Sequence, residues 1–113
     1  MRISKIAKSP PYAVEQALTK LGSNIKTARL RRKLSSAELA EKIGITRFVM
    51  ADIEKGKMTT TIAAYIGALW ALGLLEQIQM VAHPDHDVEG KTLEAARRPT
   101  TAPKRSKRLD DDF

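Results

Sequence analysis

The stretch LSSAELAEKIGITRFVMADIEKG, residues 34–56, decides the fold because two short helical patterns stand on either side of a glycine. Ser35 is a favourable N-cap for the first pattern, and Glu38 three residues later can complete a capping box. Gly44 follows the last apolar position of that pattern, where a left-handed C-cap favours glycine. We therefore predict a helix over about 36–43 with a tight turn after it.

A second short helix follows the turn and has two unlike faces. Thr46 is placed to cap this helix, which ends before Gly56. At about 100° per residue, the apolar stripe that must face the core is made of Val49, Met50 and Ile53. The outward face carries Arg47, Phe48, Ala51, Asp52 and Lys55. Two short helices joined in this way form a helix-turn-helix, whose second helix fits the DNA major groove of about 12 Å.

One carboxylate lies at the border of the core stripe. Glu54 follows Met50 by four residues, and a buried charge without a partner is strongly unfavourable. Arg29, in the preceding helical segment, is the candidate cation. We expect this pair to be a scaffold contact, whose loss weakens folding before it affects specificity.

The other helices are predicted from the same apolar spacing. Residues 12–33 indicate a first helix, which Gly22 could divide in two. Thr60 or Thr61 caps a fourth helix, IAAYIGALWALG. Its large aromatic residues are expected in the core or in a dimer interface: Tyr65 and Trp70. Residues 74–82 indicate a fifth helix, although QIQMV within them could instead form a short strand across a dimer axis.

The predicted architecture is all-α, a compact five-helix domain with flexible termini. Residues 1–10 form a flexible basic arm, and residues 11–82 form the helix-turn-helix domain. Residues 83–113 form a polar C-terminal extension with a possible short helix around residues 92–97; it has little apolar surface to bury and is expected to be largely disordered when unbound. The basic and then acidic tail, residues 100–113, receives no assigned role.

Composition narrows the class of function. The 113 residues carry a formal net charge of +7 with a pI of about 9.9, which suits a phosphate-binding protein, although basic tails alone could produce such a charge. The chain contains no cysteine, which excludes disulfides and thiol catalysis and fits a reducing cytoplasm. No apolar run is long enough for a membrane span, and the basic N-terminus lacks the apolar core of a signal peptide.

Metal-binding and catalytic constellations are weak. The segment HPDHD places His83, Asp85, His86 and Asp87 close together. A metal site needs three or four converging ligands, which a five-residue loop seldom supplies alone, so we expect a polar turn and no metal. The sequence has no nucleophile elbow and no phosphate-cradling glycine loop. We therefore expect neither an enzyme nor a cofactor.

The central stretch resembles the Xre/Cro family of phage and bacterial repressors, which have the lambda-repressor-like fold. The positions in register with the family pattern are Leu39-Ala40, Gly44-Ile45-Thr46, Met50, Ile53-Glu54 and Gly56. The resemblance spans about residues 18–80. It implies a DNA-binding domain in which the positions of Arg29 and Glu54 often form a buried ion pair.

The resemblance also implies roles for individual positions. Ser35 and Ser36 would lie on the DNA backbone, with the capping hydroxyl of Thr46 also suited to phosphate. The base-facing positions would be Arg47, Phe48, Ala51 and Asp52. Arg47 can address guanine, Phe48 can pack on a thymine methyl, and Asp52 can accept from cytosine or orient Arg47. Lys55 and Lys57 would anchor phosphates without reading sequence.

Further segments resemble the HipB-like antitoxins that are paired with HipA-type kinases. The likeness includes the spacing Pro84-x-x-Asp87-x-x-Gly90-x-x-Leu93-Glu94. It implies a cytoplasmic, nucleoid-associated homodimer that binds an inverted-repeat operator, represses its own operon and holds a kinase toxin inactive. Two alternatives remain open: an interaction protein whose DNA binding is secondary, and a stand-alone phage-type regulator.

Overall fold

The computed structural model describes residues 4–97, and all regular secondary structure in that range is helical. This confirms the all-α prediction. The chain divides into two compact units, with the boundary between Gln79 and Met80. The α-helices of the first unit are α1 (Lys5–Lys8), α2 (Tyr12–Arg31), α3 (Ser36–Ile43), α4 (Arg47–Lys55) and α5 (Ile62–Ala71). None of the helices within residues 4–97 is both long and apolar enough to cross a membrane.

The predicted caps of the helix-turn-helix are confirmed. The Ser35 hydroxyl accepts a hydrogen bond from the Glu38 N–H at 3.0 Å, and the Glu38 carboxylate accepts one from the Ser35 N–H at 2.7 Å. This backbone hydrogen bond is the main cause of a lowered pKa at Glu38. Gly44 ends α3 in the left-handed region with φ 78°, and Thr46 caps α4 through the Val49 N–H. The turn geometry therefore follows from four short-range sequence signals.

The core of the first unit forms where α2 packs on α4 and α3 packs on both α4 and α5. Its buried apolar residues are Ile25, Ala28, Leu39, Ala40, Met50, Ile53, Tyr65, Ala68, Leu69 and Leu72. Met50 and Ile53 are 0% exposed, and Val49 is half-buried, so the predicted core stripe of α4 is confirmed. Tyr65 lies in the core, which is one of the two locations predicted for it, the other being a dimer interface.

The predicted pair of Arg29 and Glu54 is present and joins α2 to α4. Arg29 donates from Nε to Glu54 Oε2 at 2.6 Å and from Nη2 to Oε1 at 3.1 Å, with both side chains about nine-tenths buried. Its Nη1 donates to the Leu34 carbonyl at 2.8 Å, which also fixes the chain between α2 and α3. The hydrogen bond to Glu54 raises the pKa of Arg29. This guanidinium therefore has partners on both sides.

Gly22 does not divide α2, which is one continuous helix. A Cβ at Gly22 would lie 2.5 Å from the Ile53 carbonyl oxygen and 2.8 Å from the Gly56 nitrogen. Gly22 therefore lies where the backbones of α2 and α4 approach closely. Its cost in helix propensity is offset by this close packing of the two helices.

The end of the first unit differs in part from the prediction. Trp70 is not in the core, since 59% of its surface is exposed, and its other predicted location, a dimer interface, stays a prediction. Residues 74–82 form neither an α-helix nor a strand; a 3₁₀ helix, Leu75–Met80, follows the left-handed Gly73 and contains no buried residue. Leu74 and Ile78 pack against the core but are only half-buried, so this segment has less of the tertiary packing that stabilises a short α-helix.

The C-terminal unit contains more helix than the sequence indicated. A 3₁₀ turn, Pro84–His86, precedes α6 (Val88–Arg97), which begins before the predicted short helix around residues 92–97. The Asp87 carboxylate accepts a hydrogen bond from the Gly90 N–H at 2.9 Å, a capping interaction that the sequence interpretation missed. The tail of residues 100–113 lies outside the described residues.

Candidate nucleic-acid interface

The outward face of α4 is the candidate site, and its exposure follows from the packing of the opposite face. Met50 and Ile53 hold the helix against the core, so the first residues of α4 point away from it. Phe48 is 74% exposed, and Arg47 beside it is also exposed. Lys55 is exposed near the C-terminal end of the helix, while Ala51 and Asp52 are partly exposed between them. The predicted division of the two faces is confirmed.

The structure brings Arg47 and Phe48 together. The Arg47 guanidinium carbon is 5.9 Å from the centroid of the Phe48 ring, within the range of a cation–π interaction. The sequence interpretation treated the two side chains as independent contacts. Neighbours on a helix diverge by about 100°, so the spacing alone gave no signal of this contact.

Asp52 pairs with the lysine that follows the helix. Lys57 Nζ is 3.9 Å from Asp52 Oδ1, and the Lys57 N–H donates to the Asp52 carbonyl at 3.0 Å. Such a partly exposed ion pair contributes little stability, about 0–1 kcal/mol. Within residues 4–97, Lys57 is the cation placed beside Asp52, in preference to Arg47. The pair places Asp52 beside a lysine that was predicted as a phosphate anchor.

A tyrosine on α5 holds the same segment from the other side. The Tyr65 hydroxyl donates to the Lys57 carbonyl at 2.8 Å, beyond the left-handed Gly56 that ends α4. Sequence reasoning placed Tyr65 in the core or in a dimer interface and did not give its hydroxyl a role. A buried tyrosine usually finds a hydrogen-bond partner, which was the signal available. The core residue Tyr65 therefore holds the segment that follows the C-terminus of the candidate recognition helix.

The environment of Tyr65 predicts that the stability of the folded protein depends on pH. Burial, with a smaller contribution from Asp52, raises the pKa of Tyr65 to about 12. The folded state prefers the protonated phenol, so this stability is complete below about pH 10 and is lost as the pH rises toward 12. We expect a loss of about 1.4 kcal/mol from this group between pH 8 and pH 11.

Tyr65→Phe tests this prediction through urea unfolding at both pH values. At pH 8 the variant should be less stable by about 1 kcal/mol, because the Lys57 carbonyl loses its donor. Between pH 8 and pH 11, however, it should lose less stability than the wild-type protein. An equal loss in the two proteins would contradict the assignment.

The N-termini of α3 and α4 hold the remaining predicted positions. The hydroxyls of Ser35 and Thr46 cap their own helices, accepting from Glu38 and Val49 respectively. Ser36 is half-buried at the start of α3, which packs on α4. The capping hydroxyls are therefore already hydrogen-bonded to protein N–H groups, and each retains further capacity to interact with an oxygen.

Two arginines lie at the end of α2, outside the helix-turn-helix itself. Arg31 and Arg32 are exposed and line an open cleft with Asn24, Thr27, Ala28, Leu74 and Gln77. Arg32 donates to the Ala28 carbonyl at 2.9 Å. These side chains add positive charge next to the N-terminus of α3. Among residues 4–97, no group of three or more metal-ligating side chains is arranged to hold a metal ion.

Comparison with known proteins gives one informative similarity. No protein-family model matches the chain. Over 54 residues the chain is 35% identical to the immunity repressor protein of Bacillus phage phi105. The aligned part covers 48% of this chain and 38% of that protein, so this chain spans less than half the length of its relative. The similarity is to a phage repressor and agrees with the helix-turn-helix geometry.

Proposed function

We propose that this protein is a sequence-specific DNA-binding repressor that acts in the cytoplasm, at the nucleoid. The observation that carries the proposal is the outward face of α4, where Arg47 and Phe48 are exposed on a helix anchored by the fully buried Met50 and Ile53. The phage relative is a repressor by name, which supports the same class. The experiment that tests it is selection of binding sequences from random duplex DNA.

The face divides into base-reading and phosphate-binding positions. Arg47 and Phe48 lie in the first turn of α4, the part of a recognition helix that meets base edges. Lys55 and Lys57 lie at its far end, where cations can contact phosphates. The net charge of +7 favours association with DNA of any sequence and makes affinity dependent on salt. Specificity must therefore come from the first turn.

Arg47→Ala and Lys55→Ala separate these roles. Arg47→Ala should weaken binding to the selected sequence by about 1–3 kcal/mol and relax the preference at one base pair. Lys55→Ala should weaken binding to selected and random duplexes by the same factor, since a phosphate contact carries no sequence information. Both affinities are measured by fluorescence anisotropy at several salt concentrations. Equal losses on both duplexes for both variants would contradict the proposed division.

A homodimer is part of the proposal, because two recognition helices about 34 Å apart read successive major grooves of an inverted repeat. The pairing surface that we propose is the exposed side of α5. Ile62 and Trp70 are 71% and 59% exposed, and residues 58–75 carry no charge in a chain of net charge +7. A second copy can therefore approach this face without charge repulsion, and burial of the tryptophan favours the contact.

Trp70→Arg should convert the dimer to a monomer in sedimentation experiments and reduce operator affinity at least ten-fold. Tyr12→Arg is the matched control, because it places the same charge at another exposed aromatic residue. It should leave the dimer intact. Unchanged sedimentation of Trp70→Arg would remove α5 from the interface.

A second function, neutralisation of a HipA-like kinase toxin as an antitoxin that represses its own operon, is favoured by the C-terminal unit. Helix α6 contains no buried residue and exposes Val88 and Leu93, an apolar surface suited to a partner protein. Co-expression with a kinase encoded beside the gene provides the test. Deletion of residues 83–113 should abolish co-purification of the kinase while DNA binding remains. Retained co-purification would place the kinase contact elsewhere.

A further inference from the structure

We propose that Arg47 and Phe48 act as one reading unit for two adjacent base pairs, a guanine and a neighbouring thymine that is recognised through its 5-methyl group. This inference rests on the proposed DNA-binding function and specifies the sequence read by the first turn of α4. It also makes the protein a sensor of the pyrimidine 5-methyl group. A 5-methylcytosine at the same position should therefore bind better than cytosine.

The geometry couples the two side chains. The guanidinium carbon of Arg47 is 5.9 Å from the centroid of the Phe48 ring, so the ring limits the directions in which the guanidinium can point. Base pairs are stacked about 3.4 Å apart along each strand. A separation of 5.9 Å is shorter than two such steps, so the two groups are close enough to reach neighbouring base pairs when they lie along the groove.

The chemistry of each side chain selects its base. Arg47 carries only donors, and guanine offers two acceptors, O6 and N7, at the major-groove edge. The Phe48 ring has neither a donor nor an acceptor, and the thymine methyl is the apolar group presented in that groove. Phe48 is 74% exposed in the free protein, so contact with this methyl removes apolar surface from water.

Within residues 4–97, the Phe48 ring is the contact that the structure shows for the Arg47 guanidinium. The carboxylate of Asp52 is the nearby anion on the same face, and it lies 3.9 Å from the Lys57 ammonium. Arg47 is exposed and has the Phe48 ring beside it. Substitution of Phe48 should thus alter reading of the guanine as well as of the thymine.

The test uses the 113-residue protein and the duplex enriched from random sequences. Each thymine of that duplex is replaced in turn by deoxyuridine, which removes only the methyl group. At one thymine per half-site, next to a guanine, replacement by deoxyuridine should lower the affinity about four-fold. This is the effect expected from the loss of one buried methyl group. A 5-methylcytosine at this position should bind about four-fold more tightly than cytosine at the same position.

Two variants connect the effect to the ring. Phe48→Ala should lose the response to deoxyuridine, whereas Lys55→Ala should keep it although its overall affinity is lower. Phe48 is a surface residue, so Phe48→Ala should fold, which circular dichroism verifies. Phe48→Leu, which keeps an apolar contact, should retain part of the methyl response.

The outcomes separate this inference from the function on which it rests. Failure to enrich any sequence would overturn the proposed repressor function. An enriched sequence that tolerates deoxyuridine at every thymine would overturn the reading unit alone. A methyl response that persists in Phe48→Ala would also overturn it, because another side chain would then make the contact.

Discussion

Glu54→Leu should lower the free energy of unfolding by about 3–5 kcal/mol, the usual cost of leaving one member of a buried ion pair without its partner. The Arg29 guanidinium would lose its bonds of 2.6 and 3.1 Å to the carboxylate while remaining 7% exposed. One bond would remain, from Nη1 to the Leu34 carbonyl. Urea unfolding followed by circular dichroism measures the change.

The double variant Arg29→Met with Glu54→Leu is the control for this prediction. Apolar side chains of similar volume often replace a buried ion pair at little cost, so the double variant should recover most of the lost stability. In variants that remain folded, the relative affinity for different DNA sequences should not change, since neither residue is on the outward face of α4. A Glu54→Leu protein as stable as the wild type would contradict the structural role of the pair.

Local signals in the sequence were sufficient for the helix-turn-helix. The Ser35 and Glu38 capping box, the left-handed Gly44 and the Thr46 cap each depend on contacts within about four residues. The assignment of Met50 inward and Phe48 outward needed only the helical period. The pairing of Arg29 with Glu54 spans 25 positions, yet a carboxylate at the edge of an apolar stripe was enough to indicate a cation.

Features that depend on tertiary geometry were not predictable in this way. The hydroxyl of Tyr65 reaches the Lys57 carbonyl only because α5 lies beside the end of α4, which no local pattern encodes. Trp70 is apolar by composition but exposed, because its side of α5 has no covering element among residues 4–79. The contact of Arg47 with Phe48 depends on side-chain rotamers, which the helical period of the sequence does not predict.

Gly22→Ala should destabilise the protein by about 3 kcal/mol, although glycine-to-alanine changes inside helices normally stabilise by about 1 kcal/mol. The added Cβ would lie 2.5 Å from the Ile53 carbonyl oxygen and 2.8 Å from the Glu54 carbonyl oxygen. Both neighbours are backbone atoms, which cannot move by a change of rotamer. The helices α2 and α4 must therefore separate, which also strains the nearby Arg29 and Glu54 pair.

Ser23→Ala is the matched control, because Ser23 is the next residue of α2 and is exposed. It should be neutral or slightly stabilising in the same thermal and urea unfolding experiments. Since α4 carries the proposed reading unit, the separation caused by Gly22→Ala should also reduce affinity for the selected DNA sequence under conditions where the variant is folded. A Gly22→Ala protein as stable as Ser23→Ala would show that α2 and α4 do not cross at this glycine. Contacts other than this crossing would then have to hold α4 in position.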